Sequence, residues 1–299
     1  MDKVFRAKTT IEQWRILHAV VEHGSYAKAS EVLNKSQSSL NHAVAKLQSQ
    51  LGIALLEVDG RKTQLTTAGG AMLRRSKKIL QDMQSLEEFA DTLIGGWEAE
   101  ITIACEVLYP KHRLLNALKD YWPKSHGSRL KITDEVISGS TEAIKNKTAD
   151  LVLSPHFPEG VHGNYLCTTT MLPVCLSSHQ ILQTSSINAE ELADHLQLVI
   201  GDTGMEKPDK GWLKAEKRWT VSSFYEAITI LKQGIGFCWI PKHLIEQELN
   251  DGSLVAIKLE GSTSFEVPVT LVIPDRKNAG PGVLLLEQVI LAEHQADRE

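Results

Sequence analysis

The sequence predicts an α+β multidomain protein: a small N-terminal unit of helices and a hairpin, one long linking helix, and a C-terminal α/β unit of two lobes. Three observations predict it. Residues 1–80 carry 13 Lys/Arg against 6 Asp/Glu, a net +7 that leaves −12 on the other 219 residues, so one end is basic and the other acidic. Apolar residues recur at helical spacing as far as Ile94. Beyond Gly95 and Gly96, extended apolar runs alternate with helical patterns. A chain of 299 residues with 42% hydrophobic content is long enough for about two domains with sizeable cores.

In order along the chain, Thr9 and Thr10 can cap a first helix on which Ile11, Trp14, Leu17 and Val21 recur, and Gly24 stops it. Ser25 caps a short second helix, YAKASEVLN, with Ala29, Val32 and Leu33 facing inward and small Ala27 and Ala29 permitting close packing. Asn34 and Lys35 make the turn. Ser36 caps the third helix, where Leu40, Val44, Leu47 and Leu51 form one buried stripe ending at Gly52. Its opposite face begins with Gln37, Ser38, Asn41 and His42.

A polar first turn suits a helix-turn-helix, in which the start of the second helix enters the major groove of DNA. The amides of Gln37 and Asn41 can bond adenine bidentately, and Ser38 and His42 can reach phosphates or guanine acceptors. Each residue taken singly reads equally well as an ordinary helix start. The following IALLEVDGRKTQLTTAG places an Asp59-Gly60 turn between two apolar runs, with Arg61 and Lys62 at its tip: a wing that can lie along the DNA backbone. A basic N-terminal end is what a polyanion-binding module requires.

These phrases together, GSY..A...L, SQSSL...V..L...LG and LL..DGRKTQLTTAG, resemble the LysR-type transcriptional regulators over residues 11–70. The resemblance implies a winged helix-turn-helix over residues 1–66. It places the base-reading positions on Gln37, Ser38, Asn41 and His42 and the wing contact on Arg61, with Lys62 beside it. The family commonly carries arginine where His42 and Val58 stand here, so this chain has fewer candidate phosphate contacts.

From Thr67 a single helical pattern runs through Met72, Leu73, Leu80, Met83, Leu86, Phe89, Ala90, Leu93 and Ile94. Twenty-eight residues span roughly 42 Å, too long for so small a domain to cover, so residues 67–96 read as a linker helix whose apolar stripe meets a partner chain, a long intrachain helix being the plainer alternative. The resemblance implies a homodimer or homotetramer.

The remainder, residues 97–299, alternates extended runs such as EITIAC, LKITDEVI and ADLVLSP with helices near Lys111–Tyr121 and from Thr141. A second run follows, from TMLPVCLS through NAEELADH, LQLVIGD, KRWTVSS and FYEAITILKQG to GFCWIP; FEVPVTLVIP and a helix from Pro281 then return to the first unit. This gives one lobe of residues 97–165 and 267–299 and another of 166–266, joined by two crossovers and separated by a cleft. EVISGSTEAIKNKTADLVLS and GIGFCWIP are similar to phrases of the family's effector domain, which implies a periplasmic-binding-protein-like architecture.

Ligands of open α/β sheets lie outside the carboxyl ends of the strands. That rule puts Cys105, Glu106, Ser138, Gly139, Ser140, Thr141, Gly201, Asp202, Thr203, Ser222 and Phe224 around one cleft. Helix starts there favour a polar oxygen or an anion, whereas Glu106 and Asp202 favour hydroxyl donors or a cation. The expected effector is a small polar or hydroxylated aromatic molecule, with Phe224 as a stacking surface; capping, solvation and core packing are the plainer roles for the same residues.

Other classes lack their motifs. No G-x-S-x-G elbow, Walker loop or GxGxxG is present, and Asp134 and Glu135 alternate faces on a strand, so no enzyme and no cofactor is expected. The eleven histidines show no metal spacing, and Cys105, Cys167, Cys175 and Cys238 form no CxxC. No long apolar run or leader pattern is seen, so the expected location is the cytoplasm, with no membrane partner. The expected function is a DNA-binding regulator controlled by a small molecule. A thiol-based redox sensor and a cytoplasmic binding protein without DNA function are the alternatives.

Overall fold

The computed structural model describes residues 6–59, 62–183, 187–205, 214–261 and 263–295, with side chains given for all but 58, 59, 62 and 63. The chain splits into two compact units, Met1–Thr92 and Leu93–Glu299, each considered by itself.

In the first unit, Thr10 caps α1 (Ile11–His23) through a full capping box with Gln13, and Gly24 ends it in the left-handed conformation. Ser25 caps α2 (Tyr26–Leu33) and Ser36 caps α3 (Gln37–Leu51). Asn34, at φ +51°, turns the chain sharply between α2 and α3. The α3 stripe is buried at Leu40, Val44 and Leu47 against Trp14, Ile16, Leu17 and Val20 of α1. One inward assignment fails. Val32 is 58% exposed, because only one face of this short helix meets α3, and Ala29 alone of α2 is fully covered. Ala27 is exposed too, so close packing rests on Ala29.

The wing is a two-stranded antiparallel sheet, β1 (Leu56–Asp59) and β2 (Lys62–Leu65), with Asp59 opposite Lys62. Gln48 of α3 holds its entry by accepting from the Leu55 and Leu56 amides at 2.7 and 3.0 Å. The long helix α4 (Thr67–Ile94) starts where the Thr66 hydroxyl accepts from the Gly69 amide. Within the first unit α4 is tied to α1 by His18 and Ser76, 2.9 Å apart.

The second unit is built on β3 (Glu100–Glu106), α5 (Lys111–Tyr121), β4 (Arg129–Glu135), α6 (Ser138–Asn146), β5 (Leu151–Ser154), β6 (Gly163–Leu176), α7 (Ala189–Ala193), β7 (Gln197–Ile200), β8 (Arg218–Val221), α8 (Phe224–Leu231), β9 (Phe237–Pro241), α9 (Glu246–Asp251), β10 (Leu254–Ala256), β11 (Phe265–Val272) and α10 (Pro281–Gln295). Among the described residues, nine strands join in one mixed sheet of order β4-β3-β5-β11-β6-β9-β7-β8, with β10 beside β6. Parallel pairs occupy its two ends, where helices cross over.

The two crossovers between the lobes are long strands. β6 and β11 pair antiparallel from Phe265 opposite Met171 to Val272 opposite Gly163, with a register shift at Val269. The expected helix start at Thr141 is corrected to Ser138. The extended run at TMLPVCLS is likewise the end of a 14-residue strand, and α9 and β10 carry no anticipating pattern in the sequence reading.

Each lobe has its own core. Ile101, Ile103, Tyr109, Leu114, Leu151, Leu271 and Leu286 belong to the first. Val174, Leu198, Phe224, Leu231, Cys238 and Ile240 belong to the second. Tyr109 and Arg113 both contact His294, at 2.7 and 3.1 Å, and so fasten α10 to α5. No helix of the described residues is long and apolar enough to cross a membrane.

Candidate functional site

On α3 the residues that the core does not need form a polar face. Gln37, Ser38, Asn41 and His42 are all exposed, on the side opposite Leu40, Val44 and Leu47. Ser36 spends its hydroxyl on the Ser39 amide, leaving the Gln37 and Asn41 amides outward. Arg61 lies outside the described residues, and of Lys62 only the backbone, in β2, is described.

In the second unit a cavity of about 520 Å³ lies between the lobes. The end of β3 supplies Glu106, Val107 and Leu108, and the turn into α6 supplies Val136 and Ile137. Met171, Leu198, Trp239 and Phe265–Pro268 close it from β6, β7, β9 and β11. The volume is that of a small-molecule chamber, and its walls are mostly apolar.

Glu106 is the buried carboxylate of the described lining, 1% exposed. Its Oε1 accepts from the Ile137 amide at 3.2 Å and its Oε2 from the Ser140 hydroxyl at 3.1 Å. The Ser140 hydroxyl is also 2.8 Å from that of Ser154. Burial pushes the Glu106 carboxyl up to about 7. The two hydrogen bonds oppose the rise, and the negative charges of Asp202 and Glu135 add to it. Ile137 makes its bond from a backbone of φ +52° and ψ −96°, a conformation costly for a β-branched residue.

The start of α6 is where the lobes touch. Asp202, from the loop after β7, accepts on Oδ1 from the Ser138 amide (3.1 Å), the Ser138 hydroxyl (2.7 Å) and the Gly204 amide (2.9 Å). Its Oδ2 is shielded and takes no hydrogen bond from a described residue. The Thr203 hydroxyl meets Glu135 at 2.8 Å and accepts from the Val136 amide at 2.9 Å, and Glu142 accepts from the Met205 amide at 2.7 Å. Glycine is required for this approach: a Cβ on Gly139 would fall on the Thr203 hydroxyl and the Glu135 carboxylate, and one on Gly204 on the Ser138 hydroxyl.

The structure therefore brings together Glu106, Ser138, Gly139, Ser140, Asp202 and Thr203, with Gly201 leading into the loop. Phe224 lines the chamber while also belonging to the second lobe's core. Three positions stand elsewhere. Cys105 is corrected to a core residue, because the strand pleat turns it to the face opposite Glu106, among Tyr109 and Leu114. Ser222 is exposed and bonds Glu226 with both amide and hydroxyl, at 2.9 and 2.8 Å. Thr141 directs its hydroxyl to the His156 carbonyl at 3.5 Å. Sequence reasoning missed Met171 and Phe265, on the crossover strands β6 and β11, and Gln197 and Trp239, on β7 and β9, whose only signal was their place in strands.

Burial also pushes the thiols of Cys105, Cys175 and Cys238 up to about 12, and that of Cys167 upward. A protonated, covered thiol is a poor nucleophile, so the redox alternative gains nothing from these sites. Among the described residues no group of three or more His, Cys, Asp or Glu is placed to hold a metal.

Comparison with known proteins agrees with this layout. Residues 11–70 match the model of the bacterial regulatory helix-turn-helix protein, lysR family, and residues 95–295 match that of the LysR substrate binding domain. The chain is similar to the HTH-type transcriptional regulator YhaJ of Escherichia coli O157:H7, 26% identical over 265 residues that cover 86% of this chain and 89% of the relative. It is also similar to the HTH-type transcriptional regulator PunR of Escherichia coli (strain K12), 24% identical over 252 residues, 82% and 81% of the two chains. In fold it resembles full-length LysG from Corynebacterium glutamicum, with TM-score 0.51 and 14% identity over 96% of this chain and 98% of that one. CrgA, a LysR-type transcriptional regulator from Neisseria meningitidis, gives 0.50 and 20% over 95% and 98%. With its helix-turn-helix followed by a two-lobed substrate-binding domain, the chain belongs to the LysR family of bacterial transcriptional regulators.

Proposed function

We propose that this LysR-type regulator reads double-stranded DNA with the exposed face of α3 and is controlled by a small molecule held in the chamber between its lobes. The observation that carries the DNA reading is the division of α3. Leu40, Val44 and Leu47 are wholly buried, while Gln37, Ser38, Asn41 and His42 are exposed at the end of the helix that a major groove admits. Gln37 and Asn41 bond base edges, Ser38 and His42 reach backbone or guanine acceptors, and Arg61 and Lys62 of the wing add sequence-independent attraction.

The control reading rests on the chamber and on the contacts beside it. The hydrogen bonds that Asp202, Thr203 and Met205 make with the α6 side close the lobes over the cavity, so a ligand that fits one degree of closure better shifts the population toward it. An apolar or aromatic body carrying a hydrogen-bond donor suits the walls and Glu106, in keeping with a hydroxylated aromatic effector. The regulator acts as a homo-oligomer, paired through α4.

The decisive experiment compares Gln37→Ala/Asn41→Ala with the unaltered protein on selected operator fragments and on bulk competitor DNA. Specific affinity should fall about ten-fold or more for each lost bidentate contact while non-specific affinity changes little. Equal losses on both DNAs would refute base reading by α3.

A further inference from the structure

We infer that the chamber between the lobes takes a compact organic cation, an amine borne on an apolar or aromatic body, held against the Glu106 carboxylate and refused to carboxylates. The inference rests on the proposed control site and specifies its ligand. Four observations carry it.

First, the described lining includes two carboxylates, Glu106 deep and Glu266 at the rim, one imidazole, His156, and neither lysine nor arginine. A ligand anion would enter a low-dielectric space facing two like charges with no lysine or arginine to meet it.

Second, the backbone donors of residues 137 to 139, at the start of α6, are already taken. The Ser138 amide and hydroxyl belong to Asp202, the Ile137 amide to Glu106, and the Gly139 amide to the Val136 carbonyl at 3.2 Å. The favourable position for negative charge beside a helix N-terminus is thus filled by the protein's own carboxylate.

Third, among the described residues Glu106 accepts one hydrogen bond on each oxygen, and an ionised carboxylate has acceptor capacity for about four. An ammonium group supplies the missing donors and the missing charge at once.

Fourth, the apolar walls include aromatic faces. The Trp239 and Phe265 rings lie 5.0 Å apart at 46°, and Phe224 adds a third on another side of the cavity. Aromatic faces attract cations and repel anions. The cavity of about 520 Å³ admits a one-ring or two-ring body with a short aminoalkyl arm.

The test is isothermal calorimetry on the full-length protein at about pH 8, where alkylamines stay protonated. The probes are two matched sets: phenethylamine, phenethyl alcohol and phenylacetate, and the same three head groups on a naphthyl body. In at least one set the amine should bind about ten- to hundred-fold tighter than the carboxylate, the range expected for a charge-assisted hydrogen bond in a dry site. Glu106→Gln should remove the amine's advantage and leave the alcohol within about two-fold.

Carboxylates that bind as tightly as their amines in both sets overturn the inference without any variant being made, and so does an amine preference that survives Glu106→Gln. The underlying reading has its own control in Val267→Trp, which fills the chamber from β11. Carboxylate binding that Val267→Trp abolishes would keep the control site and discard the cation. Binding of any probe that Val267→Trp leaves unchanged, or no binding by any probe, would remove the control site and the cation together.

Discussion

Glu106 has both oxygens occupied and its side chain out of water, and this gives it a pH dependence opposite to that of a salt-bridged acid. The folded protein keeps the proton up to about pH 7, whereas the unfolded chain releases it near 4.5, so between these values the folded form binds more protons. The stability tied to this group is therefore whole below 4.5 and declines as pH rises through about 7, by at most about 3 kcal/mol. Denaturant titrations of the unaltered protein and Glu106→Gln from pH 5 to pH 8, about one pH unit beyond the shifted value, should yield curves that differ by a slope falling with pH. Parallel curves would mean that Glu106 titrates normally. The sequence allowed Glu106 either a cleft or a solvated surface, and the choice came from packing by Ile137 and Ser140, far along the chain. Cys105 beside it went the other way because the pleat alternates, which strand periodicity alone makes legible once the strand's register is known.

At the scale of elements, α4 shows what one chain leaves unfinished. Its first turns join the core of the first unit through Met72, Leu73 and Leu80. Further along, Ile79, Met83, Leu86 and Leu93 are exposed along one side, Leu86 by 62%, at intervals of four, three and seven residues. That spacing is a coiled-coil seam, and an apolar seam of several turns left in water favours a second helix. Leu86→Asp should lower the molar mass in solution toward the 33.1 kDa of one chain. An unchanged mass under light scattering would place the oligomer contact elsewhere. This helix was legible in the sequence because its period is local, and so were the caps Thr10, Ser25 and Ser36, whose side chains act within three residues. The inward assignment of Val32 was not, since helical spacing says which residues share a face and not how wide a face the neighbours cover.

For the whole second unit, the proposed control depends on how closely the lobes approach. Gly139 and Gly204 set that distance, because any side chain at either would strike the opposite lobe. Gly139→Ala should therefore hold the cleft more open, costing about 1–3 kcal/mol of stability and weakening the proposed binding in the chamber several-fold, with the proposed DNA reading by α3 unaffected. Denaturant midpoints and calorimetry on the same preparation check both effects. A variant with native stability and native ligand affinity would show that the closed contact is dispensable.

Most of the order of elements, α9 and β10 excepted, the basic N-terminal and acidic C-terminal ends and the polar face of α3 were legible in the sequence, because caps, periodicities and charge act over a few neighbouring residues. The helix start at Ser138, the length of β6 and the walls of the chamber were decided only by the tertiary structure. Each depends on residues more than thirty positions apart, such as Glu106 with Ser140 and Asp202 with Ser138, whose meeting is set by a strand order that no local pattern encodes.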